Sequence, residues 1–215
     1  MVDCDFCLRL TPGYQPTSPH DFAVVGVSES FQVVAALGAI APGHVLIVSN
    51  EHVPSMASLS PKCRSELLEL TKSWRERLGA HFGNEIVVFE HGSLSDESTG
   101  GACIVHAHWQ LVPLPRGVAV PPKGFTRYTD LSVIDRLSGK DYQLLENGSG
   151  VYVSPDSRTE RGHQFWRRTL LAAVDRPAEW DYLAYPNIPA MDATLDVFVS
   201  AAPPGLSMSG EGTNQ

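Results

Sequence analysis

The stretch from Ile104 to Val112, IVHAHWQLV, leaves little choice of local structure. Side chains alternate faces along a β-strand, so one face carries His106, His108 and Gln110 while the other carries Val105, Ala107, Trp109 and Leu111. At about 3.3 Å per residue the three polar groups stand roughly 6–7 Å apart. The apolar face demands a core to pack on. A polar loop, Ser98-Thr99-Gly100-Gly101, leads into the strand, and residues this small let backbone N–H groups approach a phosphate closely.

A neutral imidazole is a competent nucleophile at phosphorus and needs no base to deprotonate it near pH 7. The phosphorus–nitrogen bond it forms can be broken by a second nucleophile. An amide beside it binds phosphate oxygens without adding charge. His108 therefore reads as the nucleophile and Gln110 as the phosphate holder, against the plainer reading of a solvated strand face. His91, at the mouth of the glycine-rich loop, is a candidate substrate contact together with Ser98, Thr99, Gly100 and Gly101. His44 reads as part of a turn, His20, His81 and His163 as surface residues, with a phosphate contact beside Arg161, Arg167 and Arg168 as the other reading of His163, and Cys63 and Cys103 as small buried groups.

The surrounding pattern is that of an α+β chain. FAVVGV and FQVVAAL, separated by Ser28-Glu29-Ser30, predict a hairpin. HVLIVS, apolar on both faces, predicts a central strand. Ser60-Pro61 is a helix start, and Leu67, Leu70, Trp74 and Leu78 form one apolar stripe that Gly79 or Gly83 ends. EIVVFE is a fourth strand and the histidine stretch a fifth, giving an antiparallel five-stranded sheet with one long crossing helix over residues 1–115. The proline-rich stretch from Pro113 to Pro122 suggests a boundary. Residues 116–201 then read as a smaller α/β extension covering the first part, with a hairpin at Asn147-Gly148 and a helix within 160–174. Residues 202–215 read as a disordered tail.

Cys4-x-x-Cys7 precedes any strand, which is not the setting of a redox pair between strand and helix. Zinc needs two more ligands, which His52 and His106 could supply; two reduced thiols are the other reading. The net charge of −8, with no run of lysine or arginine, argues against a broad grip on duplex DNA or on an anionic membrane. No apolar run reaches bilayer length and the N-terminus lacks a secretory pattern, so a cytoplasmic protein is expected.

Four motifs, CDFC at 4–7, PGHVLIVSNEH at 42–52, FEHG at 89–92 and HAHWQLVP at 106–113, together resemble the histidine-triad superfamily in its H-x-H-x-Q form. That form is similar to galactose-1-phosphate uridylyltransferases and diadenosine tetraphosphate phosphorylases, and in detail to CwfJ-type domains, a family linked to splicing and lariat debranching. QFWRRTLLAAVDRPAEWDY is similar to a second block of that family. The resemblance implies a nucleotide hydrolase or nucleotidyltransferase working through a nucleotidyl-His108, with Gln110 as phosphate partner. It also implies a structural zinc on Cys4, Cys7, His52 and His106. The superfamily's Gly-Gln before the first histidine is Gly101-Ala102 here, and Ala36 stands near the place of a ribose-binding Asn or Asp. The expected substrate is a nucleotide or dinucleotide, and the expected state a monomer or homodimer. A catalytically weak module that binds nucleotides or RNA ends is the rival reading.

Overall fold

In the computed structural model, which describes residues 4–83, 85–95, 104–121, 123–155 and 164–199, one antiparallel sheet runs through the chain. Its strands are β1 (Val24–Val27), β2 (Phe31–Ala35), β3 (Val45–Ser49), β4 (Glu85–Gly92), β5 (His108–Leu114), β6 (Thr126–Tyr128), β7 (Tyr142–Asn147) and β8 (Gly150–Pro155), in spatial order β1-β2-β3-β5-β4-β7-β8-β6. The α-helices among the described residues are α1 (Asp5–Leu10), α2 (Pro61–Phe82), α3 (Phe165–Ala173) and α4 (Ile188–Phe198).

Among the described residues the sheet has eight strands rather than the five expected. The hairpin beyond residue 140 does form, but β7 pairs directly with β4, from Val88↔Glu146 to Gly92↔Tyr142. The cause lies in β4, which buries five consecutive residues from Ile86 to Glu90. A strand covered on both faces cannot leave one edge of N–H and C=O groups unpaired. β7, buried at all six positions, supplies the missing edge.

A second difference concerns the histidine stretch. The strand starts at His108, and residues 104–107 have no regular structure. Ala107 leaves the ladder to bond the Val53 carbonyl and the Ser49 N–H, so His106 stands just before the strand and not in its alternation.

α2 forms where the sequence places it. The Ser60 hydroxyl accepts from the Cys63 N–H, Pro61 takes the first helical position, and Gly83 closes the end at φ +65. Leu67, Trp74 and Leu78 pack on Phe31, Ile47, Trp109 and Leu111 on one face of the sheet. Two smaller clusters cover the opposite face. Phe6 and Cys4 from the α1 segment lie on Val34 and Val48, and Trp166, Leu170 and Leu171 lie on Phe89, Val112 and Leu145. The C-terminal segment is tied to the turn before β3 through Gly38 N–H to the Pro186 carbonyl at 2.7 Å and Arg176 Nη1 to the Ile40 carbonyl at 2.7 Å. Gly38 has φ +68, and a side chain there would run into Tyr182.

Candidate functional site

Between these two covers, on the face opposite α2, lies a cavity of about 270 Å³. Its floor crosses β2, β3, β5, β4 and β7 through Val34, Leu46, His108, Gln110, Phe89 and Gln143. One wall is the α1 segment with Phe6 and Phe22. The other comes from Gln164, Phe165, Trp166, Arg167 and Tyr182. His108, Gln110 and His91 all line it. Ser98, Thr99, Gly100, Gly101, Cys103, His163 and the tail 202–215 lie outside the described residues.

The tautomer of His108 follows from a backbone contact. Its Nδ1 is 2.7 Å from the His106 carbonyl oxygen, which can only accept, so Nδ1 carries the proton and Nε2 carries the lone pair. Burial, with a smaller repulsion from His91, holds the imidazole below its ordinary value and keeps it neutral at pH 7. Phe6 meets the ring edge-on at 5.3 Å between centroids.

Gln110 is oriented by a residue the sequence reading assigned to a turn. The Ile40 N–H donates to His44 Nδ1 at 3.1 Å, which leaves the proton of His44 on Nε2. That N–H donates to Gln110 Oε1 at 3.1 Å. The Gln110 amide nitrogen, not its oxygen, is thereby left for a ligand. Complete burial and the nearby Arg167 charge push the His44 pKa down to about 3, so this relay stays neutral. A proton on Nδ1 would also oppose the Ile40 N–H.

Opposite, at the α1 end, the ligand atoms of Cys4, Cys7, His52 and His106 lie within 4.8 Å of one another and could hold a metal ion. His106 Nε2 is 2.8 Å from the Ser49 carbonyl, so it carries the proton and Nδ1 bears the lone pair that faces the cluster. The spacings suit a tetrahedral ion. Sγ to Nδ1 distances are 3.4 Å for Cys4–His106, 3.1 Å for Cys7–His52 and 3.6 Å for Cys7–His106, and the two Nδ1 atoms are 3.2 Å apart. Zinc bond lengths of about 2.3 Å to sulfur and about 2.05 Å to nitrogen imply tetrahedral edges of roughly 3.5 Å and 3.3 Å. Phe6, between the two cysteines in sequence, also packs edge-on against His106 at 5.5 Å, linking the cluster to the cavity wall.

The rim beside α1 is pinned by Asp21. Its carboxylate accepts from the Thr17 N–H at 3.0 Å, Tyr14 Oη at 2.6 Å and Arg9 Nε at 3.0 Å, which hold it well below the usual carboxylate range. Sequence reasoning missed Gln143, Gln164 and Trp166 as cavity residues, and placed Arg167 only as a neighbour of His163. The available signal was a glutamine inside the apolar run Tyr142-Gln-Leu-Leu, where a surface strand would alternate polar residues and this one does not.

Residues 1–121 match the family described as "Protein similar to CwfJ C-terminal". The chain is 32% identical over 203 residues to zinc finger CCCH domain-containing protein 64 of Arabidopsis thaliana, a match covering 83% of this chain and 31% of that protein. It therefore spans about a third of that relative's length. Among solved structures it is similar to a Hit-like protein involved in cell-cycle regulation from Bartonella henselae (TM-score 0.44, 13% identity, 56% of this chain and 87% of that one). It is also similar to a HIT family protein from Bacillus anthracis (TM-score 0.43, 18% identity, 54% and 75%). No helix among the described residues is long and apolar enough to cross a membrane. With its match over more than half of the sequence, from the cysteine pair through the histidine strand, the chain belongs to the family of proteins similar to the CwfJ C-terminal region.

Proposed function

We propose that this protein is a nucleotide hydrolase or nucleotidyltransferase that acts at an α-phosphate through a covalent nucleotidyl-His108. The observation that carries the reading is the 2.7 Å contact from His108 Nδ1 to the His106 carbonyl, which leaves the lone pair on Nε2 of a residue in the cavity floor. In the first step Nε2 forms a bond to phosphorus, and the bond from phosphorus to the leaving oxygen breaks with its electron pair. The ring keeps its Nδ1 proton and becomes cationic, and the His106 carbonyl stabilises that charge. In the second step water or an acceptor hydroxyl attacks phosphorus, the P–N electron pair returns to Nε2, and the attacking oxygen loses its proton to solvent.

Gln110 holds the phosphoryl oxygens through its amide N–H groups. It has no acidic proton to give, which favours pyrophosphate-like leaving groups over amines. His91 and the loop Ser98–Gly101 complete the phosphate contacts in this reading. Zinc is the metal we assign to Cys4, Cys7, His52 and His106; a bound ion there would tie α1 to the sheet and hold Phe6 against His108.

The test is to incubate the protein with α-labelled nucleoside polyphosphates and dinucleoside polyphosphates and to look for acid-labile label on the chain. Label on wild type and none on His108→Ala is expected. Equal labelling of the two would refute the mechanism, and tight nucleotide binding with no turnover across a broad panel would favour the accessory binding module.

A further inference from the structure

Two polar choices in the turn before β3 decide which end of the Gln110 amide meets a ligand. A peptide unit can turn either its C=O or its N–H toward a neighbour, and a neutral imidazole can hold its proton on either nitrogen. Here the two choices are made in series. The Ile40 N–H donates to His44 Nδ1 at 3.1 Å, and His44 Nε2 meets Gln110 Oε1 at 3.1 Å. Ala39, Ile40 and His44 are all buried, so solvent cannot stand in for a lost partner.

The other end of that peptide is held from far along the chain. Asn187 Nδ2 donates to the Ala39 carbonyl at 2.5 Å. The Ala39 carbonyl and the Ile40 N–H share one rigid plane and point opposite ways. A continuous line of donors and acceptors therefore runs from Asn187 through the peptide and His44 to Gln110. Bonds in such a line polarise one another.

Asn187 is built for this contact and not for its own helix. It stands at the N-cap of α4, where an asparagine side chain ordinarily accepts from the first turn, yet it makes no capping bond. It also holds φ 46, in the left-handed region, a strain that persists only where the surroundings demand it. Other ties between the same segment and the same turn bypass this peptide. Gly43 N–H donates to Thr194 Oγ1 at 2.8 Å, and Arg176 reaches the carbonyl of the next peptide, at Ile40.

Resting on the reading of Gln110 as the phosphate holder, we propose that Asn187 is a positioning residue for it, acting through the Ala39–Ile40 peptide and the tautomer of His44. Without the Asn187 donor the peptide can turn over, set the Ala39 carbonyl against His44 Nδ1 and draw the proton there. Nε2 then accepts from the Gln110 amide. Oε1 is left to face a phosphate whose oxygens also only accept.

Histidine-selective nitrogen NMR on the full-length chain reads the tautomer, with His44 assigned by the signals that His44→Leu loses. Wild type should show two well-separated ring nitrogens, with the proton on Nε2. Asn187→Gly suits the left-handed backbone and removes only the amide; it should draw the two resonances together or move the proton to Nδ1. Asn187→Asp keeps the size but cannot donate when ionised, and serves if the glycine variant folds poorly. Thr194→Val loosens the same turn at Gly43 and should leave the His44 pattern as it is in wild type. In single-turnover labelling of His108, Asn187→Gly should be about threefold to tenfold slower than wild type, the worth of a lost neutral hydrogen bond. Added to Gln110→Leu, it should slow labelling no further. A wild-type His44 pattern in both Asn187 variants, or the same change in Thr194→Val, would overturn the positioning role and leave the reaction at His108 standing. An absence of label on wild type would overturn the reaction, and the His44 pattern would still decide the role of Asn187.

Discussion

Replacing His44 with leucine probes the relay that orients Gln110. His44 is fully buried and satisfies two groups, the Ile40 N–H at Nδ1 and Gln110 Oε1 at Nε2–H. Leucine has similar bulk and no polar atom, so both groups lose their partner. At about 1–3 kcal/mol per orphaned buried group, the expected destabilisation is about 2–5 kcal/mol after some relaxation. For a chain of this size that is a fall in melting temperature of roughly 5–15 °C. Gln110 is also released to turn its oxygen toward the phosphate. Losing one hydrogen bond to a charged group, worth about 1.5–3 kcal/mol, should slow His108 labelling by about 10- to 100-fold. The assay is single-turnover labelling of wild type, His44→Leu, Gln110→Leu and the double variant, below each variant's melting range. If His44 acts through Gln110, the double variant is no slower than Gln110→Leu alone. Two effects that multiply, or a His44→Leu protein that labels at the wild-type rate, would refute the relay.

Because burial holds the His108 imidazole below its ordinary 6.5, labelling should stay level from pH 8 to below 6.5 and fall only in more acidic buffer; an acid limb above 6.5 contradicts the assignment. On the other face of the sheet, Glu90 accepts from the Met56 N–H at 2.8 Å and from Trp109 Nε1 at 2.8 Å, and Tyr142 Oη lies 2.5 Å away. Burial nonetheless pushes its carboxyl from 4.5 up to about 7. The folded state thus keeps a proton that the unfolded chain releases between pH 4.5 and 7. Stability should fall as pH rises through that window, by up to about 3 kcal/mol, and level off above it. Glu90→Gln should flatten that slope in denaturant titrations, and an unchanged slope would point to another group. Atomic absorption should find about one zinc per purified chain, little in Cys7→Ser, and chelation should lower the melting temperature and speed proteolysis within residues 4–22. A metal-free wild type with the same melting temperature would remove zinc from the fold.

Much of the architecture could be read from local pattern. Ser60-Pro61 and the stripe through Trp74 define α2 because capping and amphipathicity are written within a few residues. The hairpin around Ser28–Ser30 and the central β3 are equally local. The union of β7 with β4 is not, because nothing near residue 142 says which edge a buried strand completes. Proline at 113 and 115 suggests a break, yet Pro113 lies inside β5. Within the site, the spacing of His108 and Gln110 is legible, since alternation alone puts them on one face. The role of His44 depends on the Ile40 N–H bending back to it across a turn, a contact that residue types do not announce. Gln143 hides for the opposite reason, since its neighbours make the segment look like ordinary core.

β4 is the strand whose two edges are completed from opposite sides of the proline-rich stretch, by β5 before it and β7 after it. Val88 and Phe89 face Leu111 and Gln110 on one side and Glu146 and Leu145 on the other. Peeling β7 away would bare a central row of amides beside an apolar surface, so the neighbouring strands have little reason to open separately. Amide exchange in 87–90, 109–112 and 143–146 should then report one shared opening. A ligand laid across that row would slow exchange in all three strands at once, and the distance from His108 to Gln143 is set by a ladder rather than by a hinge.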